Sequence, residues 1–170
     1  MANLGFVDIE TTGLDPDKHQ VLEVAILTEP FGDQVHISLP INPGNASEQA
    51  LETNGYYARR NELLEIQHTR EEAAEIVRDA LQGHVFIANN PSFDAAFLSR
   101  LLRDFGYGPS WHYHLVDIKS LVAGYFGVAP PWNTAKIAEL ANVPLPADAH
   151  TALADAQWNL AVYKSLGLEG

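Results

Sequence analysis

The segment from Phe6 to Glu10, Phe-Val-Asp-Ile-Glu, places two acidic residues within a run of strand-forming residues. Strand side chains alternate between faces, so Asp8 and Glu10 point to the same side. A strand this apolar belongs in a core, where two ionised carboxylates repel each other and resist dehydration unless cations neutralise them. Divalent cations with oxygen ligands are the expected neutraliser. The segment therefore predicts a carboxylate-held metal site that performs hydrolysis, whereas the alternative, a solvated strand edge, is disfavoured by the apolar neighbours.

Strand and helix patterns alternate along the rest of the chain, which predicts an α/β fold with a mixed sheet flanked by helices. The turn residues Phe31-Gly32-Asp33 predict an antiparallel hairpin between the second and third strands. Asn90 followed by Pro91 predicts a helix start, with asparagine as the N-cap. The predicted strands cover residues 4–10, 21–28, 34–41, 85–88 and 113–116. The predicted helices cover residues 47–56, 61–81, 117–126, 134–141 and 151–166, together with the one that begins at Asn90.

Composition narrows the class of protein. A chain of 170 residues is expected to form one domain, residues 1–170, with a substantial core. The absence of cysteine excludes disulfides, thiolate chemistry and cysteine-based zinc sites, and it fits a cytoplasmic location. We expect no secretory signal and no membrane partner. The N-terminal segment lacks the basic and then apolar pattern of a signal peptide, and no apolar run is long enough to span a membrane. The net charge of −12 argues against broad electrostatic binding of duplex nucleic acid. A small site where metal ions supply positive charge remains compatible with it.

Two more aspartates are candidates for the same site. Asp94 falls in the first turn of its predicted helix, where a carboxylate also complements the helix dipole, so alone it is weak evidence. Asp155 shares a helical face with Ala152, Ala156 and Asn159. Small neighbours let a helix approach a sheet closely, which would bring Asp155 to the strand carboxylates. The alternative is an exposed aspartate on an amphipathic helix.

One histidine has a comparable setting. His150 precedes Asp155 by five residues, which is about 140° around a helix, so the two cannot share a helical face. We therefore place His150 in the loop or first turn, leaning over the site, where an imidazole suits a general base. The alternative is a surface histidine, one of seven in the chain. His112 and His114 alternate around Tyr113, which fits a metal pair or an ordinary strand face equally well.

Three segments in order resemble the motifs of the DEDDh 3′→5′ exonuclease superfamily, which includes proofreading exonucleases, ribonuclease T and oligoribonuclease. Residues 6–14 resemble the first motif, residues 90–98 the second, and residues 150–156 the third, whose histidine defines the DEDDh branch. Together they span almost the whole chain. The resemblance implies an RNase H-like fold with a five-stranded sheet. It departs from the common pattern at Asn89, where many members have histidine, and at Ile118, where threonine is common; neither change removes a metal ligand.

By position, the resemblance implies a site with two divalent ions, Mg²⁺ or Mn²⁺, and a histidine base. Such a pair of ions, about 3.5–4 Å apart, can stabilise both the attacking and the leaving oxygen at phosphorus. His150 would deprotonate the attacking water. The metal ligands would be Asp8, Glu10, Asp94 and Asp155.

The resemblance also implies substrate contacts. Thr11 and Thr12 would contact the 3′-hydroxyl, and Leu14 would wedge beside a base. Phe93 is a candidate for stacking on a base, although its apolar spacing favours the core first. Glu23 matches a recurrent glutamate to which we assign no role.

The expected function is therefore a metal-dependent 3′→5′ exonuclease. It would hydrolyse phosphodiester bonds from the 3′ end of single-stranded DNA or RNA and release nucleoside 5′-monophosphates, in DNA replication or repair. A polymerase or a second copy of the chain are open alternatives as partners. The alternative function is a catalytically silent, nuclease-like domain that binds nucleic acid or protein. Retention of four carboxylates and His150 favours the enzyme, because a binding domain has no need of buried charge.

Overall fold

The strand that carries Asp8 and Glu10, β1 (Leu4–Thr11), lies in the middle of a five-stranded sheet in the computed structural model, which describes residues 3–148 and 150–168. The other strands are β2 (Val21–Glu29), β3 (Gln34–Ser38), β4 (Val85–Ala88) and β5 (Leu115–Asp117), in the spatial order β3-β2-β1-β4-β5. The helices are α1 (Glu48–Thr53), α2 (Tyr56–Glu65), α3 (Arg70–Ala80), α4 (Pro91–Asp104), α5 (Ile118–Phe126), α6 (Thr134–Ala141) and α7 (Ala152–Ser165), and a 3₁₀ turn covers Pro43–Asn45. The predicted five-stranded mixed sheet with flanking helices is confirmed.

The pairing of β1 leaves its acidic end projecting past the end of β4. β1 runs antiparallel to β2 along its whole length, with Glu10 opposite Glu23, and the hairpin from β2 to β3 is antiparallel as predicted. Its parallel pairing with β4 ends where Phe6 meets Ile87. Asp8 and Glu10 therefore extend past the end of β4, at an edge where loops and helix ends can reach them.

The sheet separates two apolar clusters, and the alternation of β1 assigns its side chains to them. Val7 and Ile9 are buried in a cluster with residues of α3 and α4. Phe6 is buried in the other cluster, with residues of α5, α6 and α7. Since Asp8 and Glu10 share the face of Phe6, they lie on the α7 side of the sheet. α7 packs against both β1 and β2.

The single helix predicted for residues 61–81 is wrong. The chain leaves α2 at Glu65 and forms hydrogen bonds with β3, where the Ser38 N–H donates to the Ile66 carbonyl and the His68 N–H donates to the Ser38 carbonyl, both at 3.0 Å. α3 then starts afresh with a capping box in which Thr69 and Glu72 satisfy each other's backbone N–H groups. Helical periodicity continues through this break, and the Thr69-x-x-Glu72 capping box was the sequence signal that could have shown it.

Other differences are smaller. The third strand ends at Ser38, short of the predicted residue 41, because Pro40 has no N–H to offer the ladder. The fifth strand begins two residues later than predicted, at Leu115. α4 does start at Pro91, but Asn90 adopts a left-handed conformation (φ 65°) and its side chain does not cap the helix. Within the described ranges, no helix has the length and apolar character needed to cross a bilayer.

Candidate active site

Three carboxylates from the two ends of the chain meet at the projecting end of β1. Asp8 and Glu10 come from β1, and Asp155 comes from the first turn of α7. One oxygen from each lies within 4.8 Å of the others, and all three residues are partly buried. The close approach follows from the small side chains of Ala152 and Ala156, both fully buried on the inner face of α7. The expectation that Asp155 reaches the strand carboxylates is thus met by the geometry.

Asp94 lies beside this cluster but is not one of the three mutually close groups. It occupies the first turn of α4 and is only 3% exposed. Burial raises the pKa of its carboxyl to about 8, against the opposing effect of hydrogen bonds from the backbone N–H groups of Asp94 itself and Ile9. Its charge in turn raises the pKa of Asp8.

Burial and mutual repulsion disfavour the ionised forms of the cluster carboxylates when no cation is bound. Burial, followed by the charge of Asp94 and then of Glu10, raises the pKa of Asp8 well above its ordinary value. Burial and the charge of Glu23 raise the pKa of Glu10 to about 8. Burial also raises the pKa of Asp155. A divalent cation would reverse this by favouring the ionised forms. The donor set, carboxylate oxygens alone, fits hard ions such as Mg²⁺ and Mn²⁺.

His150 lies in the loop before α7, as expected. It is exposed and adopts a left-handed backbone conformation, with φ 70°. Its backbone N–H donates a 2.9 Å hydrogen bond to Oδ2 of Asp155. The same bond lowers the pKa of Asp155 against the larger effect of burial. The unusual backbone of His150 is therefore coupled to the orientation of a cluster carboxylate.

A cavity of about 360 Å³ opens beside the carboxylates. Asp8, Glu10, Asp155 and His150 line one part of it. The remaining wall comes from the segment after β4, from α6 and α7, and from the loop before His150, through residues that include Asn89, Thr134, Leu145, Pro146, Trp158 and Asn159. The cluster thus faces a space into which a substrate group could enter.

A buried ion pair that the sequence did not reveal lies next to Glu10. Glu23 is fully buried and is held by the Arg59 guanidinium through two hydrogen bonds of 2.8 and 3.0 Å. Nε2 of His36 lies 2.8 Å from the same carboxylate. These hydrogen bonds outweigh burial and lower the pKa of Glu23. Glu23 carries the same signal as Asp8, an acid within an apolar strand, but nothing in the sequence links it to Arg59, which is 36 residues away.

The residues predicted to contact substrate have different environments. Thr11 and Thr12 are buried, with the Thr11 hydroxyl donating to the Gly13 carbonyl at 2.7 Å and the Thr12 hydroxyl accepting from the Gln20 N–H at 2.9 Å. Leu14 is 83% exposed. Phe93 is half-buried against the Phe97 ring, with ring centroids 4.9 Å apart. Leu14 is thus the most accessible of the four, while Phe93 divides its surface between core and solvent.

The pair His112 and His114 gives no sign of a second metal centre. Their rings lie against that of Tyr113 in tilted arrangements, at centroid distances of 4.4 and 4.1 Å. Among the residues that the structure describes, the only group of three or more potential metal-ligating side chains is Asp8, Glu10 and Asp155.

Comparison with known proteins assigns a family and a fold. The family model described as Exonuclease, that of the RNase T family, matches residues 6–163. No curated protein matches the chain. Among solved structures, E. coli exonuclease I in complex with a dT13 oligonucleotide is 18% identical, with a TM-score of 0.72 over 99% of this chain and 41% of that one.

Two further structures give the same result. The zinc ion bound form of an E. coli exonuclease I–ssDNA complex is 17% identical, with a TM-score of 0.73, and the match covers 98% of this chain and 40% of that chain. A structure described as suggesting how exonuclease I achieves processivity is 16% identical, with a TM-score of 0.76, and the match covers 98% of this chain and 41% of that chain. The chain thus spans about two fifths of the length of the structures it matches, and at these identities the likeness establishes the fold.

Proposed function

The chain belongs to the exonuclease family and is a member of the DEDDh 3′→5′ exonuclease superfamily. We propose that it hydrolyses single-stranded DNA from the 3′ end and releases nucleoside 5′-monophosphates. The observation that carries the proposal is the meeting of Asp8, Glu10 and Asp155 beside an open cavity. A catalytically silent binding domain has no use for this buried repulsion. The preference for DNA draws on the oligonucleotide complexes of exonuclease I, whereas the motifs themselves are compatible with RNA.

In this proposal the carboxylates hold two divalent ions. Asp8, Glu10 and Asp155 would be ligands, and Asp94, buried beside Asp8, would complete the set. When bound, such ions polarise the phosphate and promote ionisation of water at neutral pH. The protein fixes the position of these groups: the sheet holds Asp8 and Glu10, and the backbone N–H of His150 orients Asp155.

His150 would act as the general base. Its side chain is on an exposed residue that lines the cavity with the carboxylates. One imidazole nitrogen would accept a proton from the attacking water, and exposure would let that proton pass to solvent. Because the base sits on a loop outside the helix, its position depends on the local backbone at residue 150 and on the bond to Asp155.

The proposed substrate form follows from surface and charge. Exposed Leu14 lies three residues beyond the end of β1 and would rest against a base near the 3′ terminus, with Phe93 as a second candidate. Apolar and aromatic contacts of this kind suit unpaired bases. The chain carries ten Lys and Arg against 22 Asp and Glu, which disfavours tracking along a duplex. We also propose that residues 1–170 form one exonuclease domain. A cytoplasmic location remains a prediction, which rests on the absence of cysteine.

The test is digestion of 5′-labelled single-stranded DNA and RNA of equal sequence, with Mg²⁺, with Mn²⁺ and with EDTA. Stepwise shortening of the labelled strand in the presence of either metal, and none with EDTA, is the expected result. A DNA rate above the RNA rate would support the choice of substrate. Binding of the oligonucleotide without cleavage in any metal would overturn the proposal in favour of the silent domain, and release of labelled mononucleotide at the outset would show the opposite polarity.

A further inference from the structure

Asn159 is a buried polar residue that neither the motifs nor the mechanism uses. It is 1% exposed, on the inner face of α7. Neither the nitrogen nor the oxygen of its side-chain amide has a hydrogen-bond partner among the residues that the structure describes. An amide buried without partners costs free energy, and an apolar side chain of similar shape would avoid that cost. Packing alone therefore does not account for asparagine at this position.

The location of Asn159 gives the amide a specific neighbourhood. It follows Asp155 by four residues, so the two side chains lie on one face of α7, one turn apart. It also lines the cavity that Asp8, Glu10 and Asp155 line. Asn159 thus lines the same space as the carboxylates, and its unpartnered amide is buried beside them.

The chemistry of an amide suits the surroundings of a hydrated cation. Mg²⁺ usually keeps several of its water molecules when it binds to a protein, and groups beyond the direct ligands commonly fix a site by hydrogen bonding. Asparagine can donate through its NH₂ group and accept through its oxygen. It also adds no charge to a cluster in which Asp8 already meets repulsion from four other carboxylates, those of Asp94, Glu10, Asp155 and Glu23.

From this arrangement we propose that Asn159 is a positioning residue of the metal centre, whose amide hydrogen bonds to water molecules carried by a divalent ion at Asp8, Glu10 and Asp155. The inference rests on the proposed function, since it presumes that the carboxylates bind metal. Asn159 would be a neutral member of the metal centre, one turn of α7 after Asp155. Its contribution is to metal affinity and to the order of the bound water, and it makes no contact with the reacting phosphate.

Trp158 provides a matched control. Its indole Nε1 is likewise buried without a partner, it lines the same cavity, and it is next to Asn159 in the chain. Its exposed fraction is 6%. Unlike an amide, however, an indole is a donor only, and residue 158 lies about 100° around the helix from residue 159. Trp158→Phe removes an unpartnered polar atom from the same cavity while leaving the proposed metal contact in place.

The experiment measures Mn²⁺ binding by electron paramagnetic resonance and, separately, thermal unfolding in EDTA, for the wild type, Asn159→Leu, Trp158→Phe and Asp155→Asn. We expect Asn159→Leu to weaken Mn²⁺ binding by about tenfold or more, with a metal-free Tm equal to or above that of the wild type. Trp158→Phe should bind Mn²⁺ as the wild type does. Asn159→Ala, which adds no bulk, replaces the leucine variant if the latter fails to fold.

Two outcomes separate this inference from the function on which it rests. Wild-type Mn²⁺ affinity in Asn159→Leu or Asn159→Ala would overturn the role of Asn159 while leaving the metal site intact. Equal weakening in Trp158→Phe would also overturn it, because the effect would then belong to the cavity wall in general. Failure of the wild type to bind Mn²⁺, or equal binding by Asp155→Asn, would instead overturn the proposed metal centre itself.

Discussion

Glu10 and Glu23 lie directly opposite each other on the antiparallel strands β1 and β2, and Arg59 neutralises only the second of them. Glu23 raises the pKa of Glu10, while Arg59 acts in the opposite direction. The carboxylates of the cluster therefore have a further neighbour, Glu23, within the sheet. Glu23 has a cationic side chain of the protein, that of Arg59, as its partner. In the proposed function, a cation from outside the chain neutralises the remaining carboxylates.

Loss of the Arg59 guanidinium should destabilise the fold. In Arg59→Met, the fully buried Glu23 keeps His36 but loses both bonds to the guanidinium. Removal of one partner from a buried pair costs about 3–5 kcal/mol, and we expect about 3 kcal/mol in the free energy of unfolding by urea. Arg60→Met, at the exposed neighbouring position, is the control and should change little. Equal stability of the two variants would contradict a structural role for the pair.

Removal of a cluster carboxylate should separate activity from stability. Asp8→Asn and Asp155→Asn should each lower cleavage below detection, and Asp94→Asn should be nearly as severe. Because burial raises the pKa of each group, with repulsion added at Asp8 and Asp155, the metal-free variants should be as stable as the wild type or more so at neutral pH. Tm in EDTA and digestion with Mg²⁺ measure both effects, with exposed Glu71→Gln as control. Near-normal turnover by Asp8→Asn at saturating Mg²⁺ would exclude it as a ligand.

The metal-free protein should lose stability as pH rises. Glu10 and Asp94 have folded pKa values of about 8, against ordinary values of 4.5 and 3.8, so between these limits the folded chain binds more protons than the unfolded chain. Its free energy of unfolding therefore falls with rising pH up to about 8 and then levels off. Glu23, whose pKa is lowered, acts only below its ordinary value of 4.5.

Urea titrations from about pH 5 to about pH 9 in EDTA test this slope. Saturating Mg²⁺ should abolish most of it, because a bound cation stabilises the ionised carboxylates. A flat profile in EDTA, or stability that rises through this range, would contradict the raised pKa values.

His150→Asn tests the general base without disturbing the backbone. Asparagine tolerates the left-handed conformation that residue 150 adopts and retains the N–H that bonds to Asp155. We expect kcat to fall on the order of 10²–10⁴-fold, with Mn²⁺ affinity and Tm unchanged. General-base catalysis by His150 predicts a wild-type rate that rises with pH, and the variant should lack this rise. The same pH profile in both proteins would assign proton removal to another group.

Digestion should be distributive and only weakly dependent on salt. Six of the ten basic residues already form ion pairs within the described chain: Lys18, Arg59, Arg78, Arg100, Lys136 and Lys164. Each phosphate contact to a single strand contributes about −0.7 to the slope of log K against log salt, so the four basic residues outside these ion pairs predict a slope no steeper than about −3. A chase with excess unlabelled strand should stop shortening of labelled DNA after few cuts. Blunt duplex should be degraded slowly, and trap-resistant digestion of long duplex would contradict the prediction.

The parts of the site that short-range rules govern could be predicted from the sequence. Alternation along β1 predicts that Asp8 and Glu10 share a face, and the small residues of α7 predict the approach of Asp155. The five-residue spacing predicts that His150 lies outside the helix. Each of these depends only on residues close in the chain, and each matches the structure.

The parts that depend on distant residues could not be predicted. The break between α2 and α3 arises from hydrogen bonds to β3, which helical periodicity does not register. The partner of Glu23 comes from α2, and any arginine would have been an equal candidate before the fold was known. Asn159 is predicted as a small neighbour of Asp155, but its lack of a hydrogen-bond partner follows only from how α7 packs on the sheet.

The carboxylate cluster takes two members from the first strand and one from the last helix, 145 residues after Glu10 (155 − 10). A chain still on the ribosome therefore cannot assemble it until the first turn of α7 has been translated and has emerged. α7 also supplies much of the apolar cluster on its side of the sheet, so the same event completes the core. Assembly of the cluster is thus tied to the synthesis of α7, and a nascent chain that still lacks α7 does not contain it.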